Sequence, residues 1–242
     1  MFTRREIEKF LFIDVETARN QAKFEDLDVD MQDFWEDKAR QYYKAEDDPD
    51  FDTPYSYKEK AGLFAEFSRV VCVSTGYIRW SDDGKAVGRT RSFYGSDEKA
   101  ILLETASLLS SPKLLGYTLC GHNIKGFDIP VLARRMLINQ VLPLPKILHV
   151  YDKKPWEIPF KDTMELWRFG DFKNYTKLVL LTKLFDIPSP KMDMDGSHVG
   201  DLYWSGDNYE KIARYCEADV RATMNLVLRW SGMELLTENS AS

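Results

Sequence analysis

Cysteine is scarce in this chain of 242 residues: there are three, Cys72, Cys120 and Cys216. Each stands alone in an apolar context. Their spacing offers neither a metal motif nor a disulfide framework, so reduced core thiols of an intracellular protein are expected. Histidine is equally scarce, and His122, His149 and His198 do not fall at ligand spacing. No apolar run reaches the length of a bilayer span, so no membrane association is expected. The N-terminus carries Arg4, Arg5, Glu6, Glu8 and Lys9 around few apolar residues, which is not a secretory signal. The expected location is cytoplasmic. Internal repeats and low-complexity segments are missing too. A basic excess is also lacking: the formal net charge is −6, which alone argues against a nucleic-acid partner.

The distribution of charge tempers that exclusion. Residues 17–62 hold 13 acidic and 7 basic side chains, whereas residues 125–191 hold 12 basic and 7 acidic ones. The acidity is concentrated in one segment and the middle of the chain is basic. With 44% hydrophobic residues, there is material for one large α/β domain or two small ones. The order of elements favours one domain over residues 1–242, with a frayed tail over 237–242. Phe10 to Val15 reads as a buried strand. Residues 18–60 read as a helical insertion: an amphipathic helix from Asn20 to Lys44, a break at Asp47-Asp48-Pro49-Asp50, and a short helix from Tyr55 to Phe67. Its aromatics Trp35, Tyr42, Tyr43, Tyr55 and Tyr57 make it a candidate lid or protein-partner surface, beside the plainer role of a cover on the sheet edge.

Strands are expected over Arg69–Trp80, Ala86–Tyr94 and Leu114–Cys120, and a short one over Ile147–Tyr151. Helices are expected from Ser96 to Leu109, Phe127 to Asn139, Asp162 to Phe169, Thr176 to Phe185 and Asn208 to Trp230. Pro188 to Gly200 reads as a loop. Strands come first and helices then alternate, the pattern of a mixed sheet with helices on both faces.

Three groups of side chains carry candidate chemistry. Asp14 and Glu16 are two apart on a strand and share a face. Two such charges repel by about 4 kcal/mol at an effective dielectric near 20, a cost that a divalent cation would offset. A solvated strand end is the bland alternative. Asp128 falls in the first turn of a helix after a buried strand, where a helix-start acid is equally ordinary, and Asn123 before it suits a turn. Tyr215 and Asp219 are four apart on a late helix, beside the apolar stripe of Ile212, Cys216, Val220, Val227 and Trp230. Glu217 points elsewhere and is expected in solvent. Arg134 and Arg135 are expected on a helix's solvent face, and Asp162 as a helix cap.

In combination, Asp-x-Glu at a strand end, Asn-x-x-x-Phe-Asp at a helix start and Tyr-x-x-x-Asp on a late helix resemble the DEDD superfamily of 3′–5′ exonucleases. Within that superfamily the chain resembles the tyrosine-bearing branch, and in detail it is similar to the proofreading exonuclease domain of family B DNA polymerases. Gly62–Phe67 leading into Val70–Ser74 is similar to that family, as are Ile187–Lys191 and Asp195-Gly196. The resemblance covers about Lys9 to Trp230 but not the insertion, and no polymerase domain is expected within these residues. It implies a ribonuclease H-like fold and hydrolysis at the 3′ end of single-stranded nucleic acid, DNA before RNA, releasing nucleoside 5′-monophosphates. It implies two divalent cations, Mg²⁺ or Mn²⁺, held by Asp14, Glu16, Asp128 and Asp219. Tyr215 would orient the attacking water, and Asn123 and Phe127 would lie against the substrate. The histidine branch would need its base where Tyr215 stands, so His198 is set aside, as are Asp193 and Asp195. Rival readings are an exoribonuclease, a non-catalytic nucleic-acid-binding module of the same fold, and a metal-binding structural domain that docks a protein through the insertion.

Overall fold

A computed structural model of the chain describes residues 1–171, 173, 175–188, 196–206 and 208–237, with only the backbone of Ser197. The expected frayed tail, apart from Thr237, and the acids Asp193 and Asp195 lie outside the described residues. A short helix α1 (Arg4–Ile7), capped by Thr3, leads into β1 (Phe10–Arg19). The strand is longer than its apolar run. Glu16-Thr17-Ala18-Arg19 reads as polar, yet β2 pairs antiparallel along the strand as far as Arg19 opposite Ser68. The register shifts between Glu16 and Thr17, a bulge that lets Val71 and Cys72 face the same side.

The insertion therefore starts at residue 20. Its main helix α2 (Val29–Tyr43) begins later than the apolar spacing predicts, because the Asp28 side chain accepts from the Met31 N–H at 2.9 Å. A 3₁₀ turn, Phe24–Asp26, precedes it. Helix α3 (Thr53–Lys60) is capped by Asp52 and stops at a 3₁₀ turn, Ala61–Leu63, rather than running to Phe67. Trp35 and Tyr57 are buried with Leu27, Ala39, Ala61 and Phe67. These two aromatics thus build the insertion's own core and are not a partner surface. Thr17 Oγ1 donates to Gly62 O at 2.7 Å, and Asn20 N donates to Phe67 O at 2.8 Å, closing the insertion onto the sheet.

After β2 (Ser68–Trp80) and β3 (Ala86–Tyr94) come α4 (Glu98–Leu109), β4 (Thr118–Gly121), α5 (Asp128–Ile138), β5 (Lys161–Asp162), α6 (Thr163–Arg168), α7 (Leu178–Leu184), α8 (Val199–Trp204) and α9 (Tyr209–Trp230). Among the described residues five strands form one sheet, ordered β3-β2-β1-β4-β5. The first three are antiparallel, and β4 and β5 run parallel to β1. The fourth strand is shorter than predicted because Pro112–Leu114 forms a 3₁₀ turn. The proline-rich Ile147–Tyr151 stretch is not a strand; Lys146–Leu148 is another 3₁₀ turn. Part of the predicted Pro188–Gly200 loop turns into α8, whose Val199 and Tyr203 pack on Ala18 and Ile212.

Alternation along β1 divides the core. Leu11, Ile13 and Val15 join the cluster with Leu102, Ile129 and Leu132 of α4 and α5. Phe10 and Phe12 pack against Val220, Met224 and Val227 of α9 on the opposite face. Each such side chain, fully buried, contributes about 1.5–3 kcal/mol. Asp14 and Glu16 follow Phe12 at the two-residue period and so fall on the α9 face. Arg135 corrects the sequence expectation: it is buried, and its guanidinium grips Glu98 with Nε to Oε1 at 2.8 Å and a second nitrogen to Oε2 at 2.6 Å. Glu98 also accepts from Val70 N at 2.7 Å, and Arg135 donates to Ala65 O at 3.0 Å, so the pair ties α4, α5 and β2 together.

Candidate active site

The acids meet where β1 and β4 part. Their parallel pairing ends at Phe12 and Cys120, so on its β4 side β1 continues with backbone groups unclaimed by a strand. Asp128, at the start of α5 and only 3% exposed, takes one of these: its Oδ1 accepts from the Val15 N–H at 2.8 Å. That bond fixes α5 beside the peptide between Asp14 and Glu16. Gly121 permits the close approach. A Cβ there would collide with the Ile124 side chain and stand 2.6 Å from Ile13 O.

From the other face, α9 brings Tyr215, Cys216 and Asp219. Asp14, Glu16 and Cys216 each offer a potential ligand atom, all within 4.8 Å of one another. Asp128 and Asp219 flank this group less tightly. Cys216 Sγ donates to Asp14 O at 3.4 Å. Asp14 Oδ2 is buried and has no hydrogen-bond partner among the described residues. An orphaned carboxylate oxygen amid three further carboxylates is costly.

Electrostatics express that cost. Burial raises Asp14 well above the ordinary carboxylate range, and the charges of Asp128 and Asp219 raise it further. Glu16 is raised by burial and then by Asp14. Burial lifts Asp128 to about 7, although the Val15 N–H holds it down. Asp219 is lifted to about 6 by burial, with the Tyr215 hydroxyl opposing. Burial and the neighbouring carboxylates Asp219, Glu16 and Asp14 push the Tyr215 phenol above its usual value, so it keeps its proton at neutral pH. Hard oxygen donors around an unpartnered carboxylate oxygen fit a hard divalent cation such as Mg²⁺ or Mn²⁺. Burial keeps the Cys216 thiol protonated.

Asp162 has more to do than cap a helix. It is buried at the end of β5, accepts from Met164 N at 3.0 Å, and also accepts from Asn123 N at 2.9 Å and Lys125 N at 3.0 Å. It holds the loop between β4 and α5 on which Asp128 depends. Asn123 adopts φ +63°, a left-handed turn conformation that asparagine tolerates. Phe127 packs partly into the α4–α5 core. Glu217 is not in free solvent: its carboxylate accepts from Thr90 Oγ1. His122 is fixed between Thr163 Oγ1 at 2.9 Å and Thr176 O at 2.8 Å.

A cleft of about 670 Å³ reaches the cluster at Asp219. Tyr215 and Asp219 line it, together with Arg19, Lys58, Lys60, Leu63, His122, Tyr175 and Lys177 among others. Asp14, Glu16, Asp128, Asn123 and Phe127 are not among its lining residues. Sequence reading missed the cleft lysines and Cys216. The thiol had a signal, its position between Tyr215 and Asp219 on the buried stripe; the lysines had none.

The family described as a predicted 3′–5′ exonuclease related to the exonuclease domain of PolB matches residues 63–240. The chain belongs to this family. Asp128, Tyr215 and Asp219 fall inside the match; Asp14, Glu16 and the insertion precede it. The family B DNA polymerase of the archaeon Pyrobaculum calidifontis superposes with a TM-score of 0.54 at 15% identity, over 89% of this chain and 23% of that one. E. coli exonuclease I, solved with a dT13 oligonucleotide, gives a TM-score of 0.46 at 16% identity, over 90% and 40%. No curated protein matches. The chain thus spans about a quarter of the polymerase it resembles. The five-stranded mixed sheet with helices on both sides is the ribonuclease H-like fold of this exonuclease family.

Proposed function

We propose that the chain is a divalent-metal-dependent 3′–5′ exonuclease of the tyrosine branch of the DEDD superfamily, acting on single-stranded 3′ ends, DNA before RNA. The observation that carries this reading is the buried, unpartnered Asp14 Oδ2 among Glu16, Asp128 and Asp219. Membership of a family related to the PolB exonuclease supports DNA as the strand.

Asp14, Glu16, Asp128 and Asp219 would hold two Mg²⁺ or Mn²⁺ ions. Such ions, when bound, neutralise phosphate charge and acidify water. The remaining work falls to the protein. The Val15 N–H keeps Asp128 aimed at the cluster. Asp162 keeps the Asn123–Lys125 turn in place, and Asn123 and Phe127 on that loop are assigned to the terminal nucleotide. Tyr215, a protonated phenol against Asp219, orients the attacking water by hydrogen bonding. A phenol held above its usual pKa is a poor donor of charge and a poor base at pH 7 unless it is first ionised.

The deciding experiment incubates 3′-labelled and 5′-labelled single strands of DNA and RNA with the protein in Mg²⁺, Mn²⁺ or EDTA. The expected result is early loss of the 3′ label as mononucleotide, a shortening ladder from the 5′ label, and no reaction in EDTA. Early loss of the 5′ label as mononucleotide with a shortening ladder from the 3′ label, or turnover in EDTA, would reject the assignment. Binding without turnover in either metal would favour the non-catalytic reading, and faster loss from RNA would reverse the strand preference.

A further inference from the structure

The insertion lies outside the family match, yet it supplies one side of the cleft. Lys58, Glu59, Lys60 and Gly62 line the same space as Tyr215 and Asp219. Tyr175 and Lys177, just before α7, and Val179 within it line the same space. We propose that the insertion is a strand-binding wall, in which Lys60 and Lys177 hold phosphates of an unpaired strand upstream of its 3′ end, and Tyr175 supports a base. The direction of the strand rests on the exonuclease reading.

Charge selects the occupant. Arg19 is paired with Asp201 at 2.8 Å, and Lys58 shares that carboxylate at 3.3 Å. Lys60 and Lys177 have no ion-pair partner among the described residues. Among the described residues that line the cleft, the carboxylates are Glu59 and Asp219. A neutral peptide would leave both ammonium groups unmatched, and an isolated acidic group would match one of them. A chain with regularly spaced phosphates matches both. Tyr175 is 63% exposed and lines the cleft together with Lys177. An aromatic face next to a cation is a sequence-tolerant platform for a base. A cleft of about 670 Å³ takes a nucleotide or two of one strand and excludes a duplex.

The wall is preorganised. Gly62 O accepts from Thr17 Oγ1 on β1 at 2.7 Å, and Gln21 N donates to the Tyr57 hydroxyl at 3.0 Å. Asp201 of α8 ties Lys58 of α3 to Arg19 of β1. Little backbone ordering is therefore required on binding.

The test is fluorescence anisotropy of 5′-labelled oligo(dT) strands of about 4 and about 12 nucleotides, in EDTA so that turnover is excluded. It compares wild type, the double variant K60Q/K177Q and the control K99Q on α4, with thermal melts to confirm folding. The double variant should bind both strands more weakly than wild type does. Its slope of log K against log[salt] should fall by about 1.4, which is 0.7 for each phosphate contact on a single strand. Between about 50 and about 200 mM salt that amounts to a roughly sevenfold smaller loss of affinity. K99Q should behave as wild type. Unchanged affinity and slope in the double variant would overturn the wall while leaving the exonuclease reading intact. Binding by wild type with the predicted slope change, but without hydrolysis in metal, would support the wall and overturn the exonuclease reading instead. Failure of wild type to bind either strand in EDTA would overturn the wall and leave the exonuclease reading to the labelled-strand assay in metal.

Discussion

Replacing Asp14 by alanine removes the carboxylate whose buried oxygen lacks a partner, so the fold should tolerate the change better than the chemistry. Asp14→Ala and Asp219→Ala should each lower turnover on the order of 100- to 1,000-fold or more, with a melting temperature in EDTA at or above that of wild type. Wild-type activity in both would remove the site. Tyr215→Phe separates two roles. Loss of proton transfer typically costs about 100- to 10,000-fold, so an orienting tyrosine predicts a smaller deficit, with metal affinity unchanged. The raised phenol supports the orienting role. Asp219 titrates near 6 and Asp128 near 7, whereas the unfolded chain releases these protons near pH 4. The folded state therefore binds more protons between those values, and metal-free stability falls as pH rises from about 4 to about 7. Melts in EDTA across that range should show the decline. Added Mg²⁺ or Mn²⁺ should reverse it increasingly toward pH 8, and Asp128→Asn should flatten the metal-free curve.

Elements are held in place by a few contacts that local sequence conceals. Glu98 and Arg135, each 6% exposed, are 37 residues apart. Removing either partner strands the other, and Glu98→Ala or Arg135→Ala should cost about 3–5 kcal/mol in urea unfolding. Replacing both with apolar residues of similar size should cost much less. Next to Arg134, Arg135 reads as half of a solvated pair, and nothing local names its partner. The same limit hides the second half of β1: Glu16 to Arg19 look polar, and only the long β2 opposite makes them a strand. Period-two and period-four spacing, by contrast, travel well from sequence to structure. Asp14 and Glu16 do share the α9 face, and Tyr215 does stand by Asp219. The two-residue β5 and the short α8 are too brief to announce themselves. Gly121→Ala tests the junction directly: overpacking against Ile124 and Ile13 O should cost about 1–3 kcal/mol and weaken activity together with stability.

Across the whole molecule, one strand is common to both halves of the core and to the cluster of acids. Slipping β1 by a single residue would carry Asp14 and Glu16 into the α4–α5 core and swing Ile13 and Val15 toward α9. A partly assembled cluster is thus incompatible with a formed sheet. The Val15–Asp128 bond joins the central strand to a helix start that is 113 residues away, and so it exists only when assembly is complete. It also gives spectroscopists a gauge. In a ¹⁵N-labelled sample the Val15 amide resonance should shift as the pH crosses about 7, and should move again when a cation competes for the same carboxylate. Its exchange with deuterium should be among the slowest in the sheet. One backbone proton would then report, without substrate or label on any side chain, whether the acids have gathered and whether they are charged.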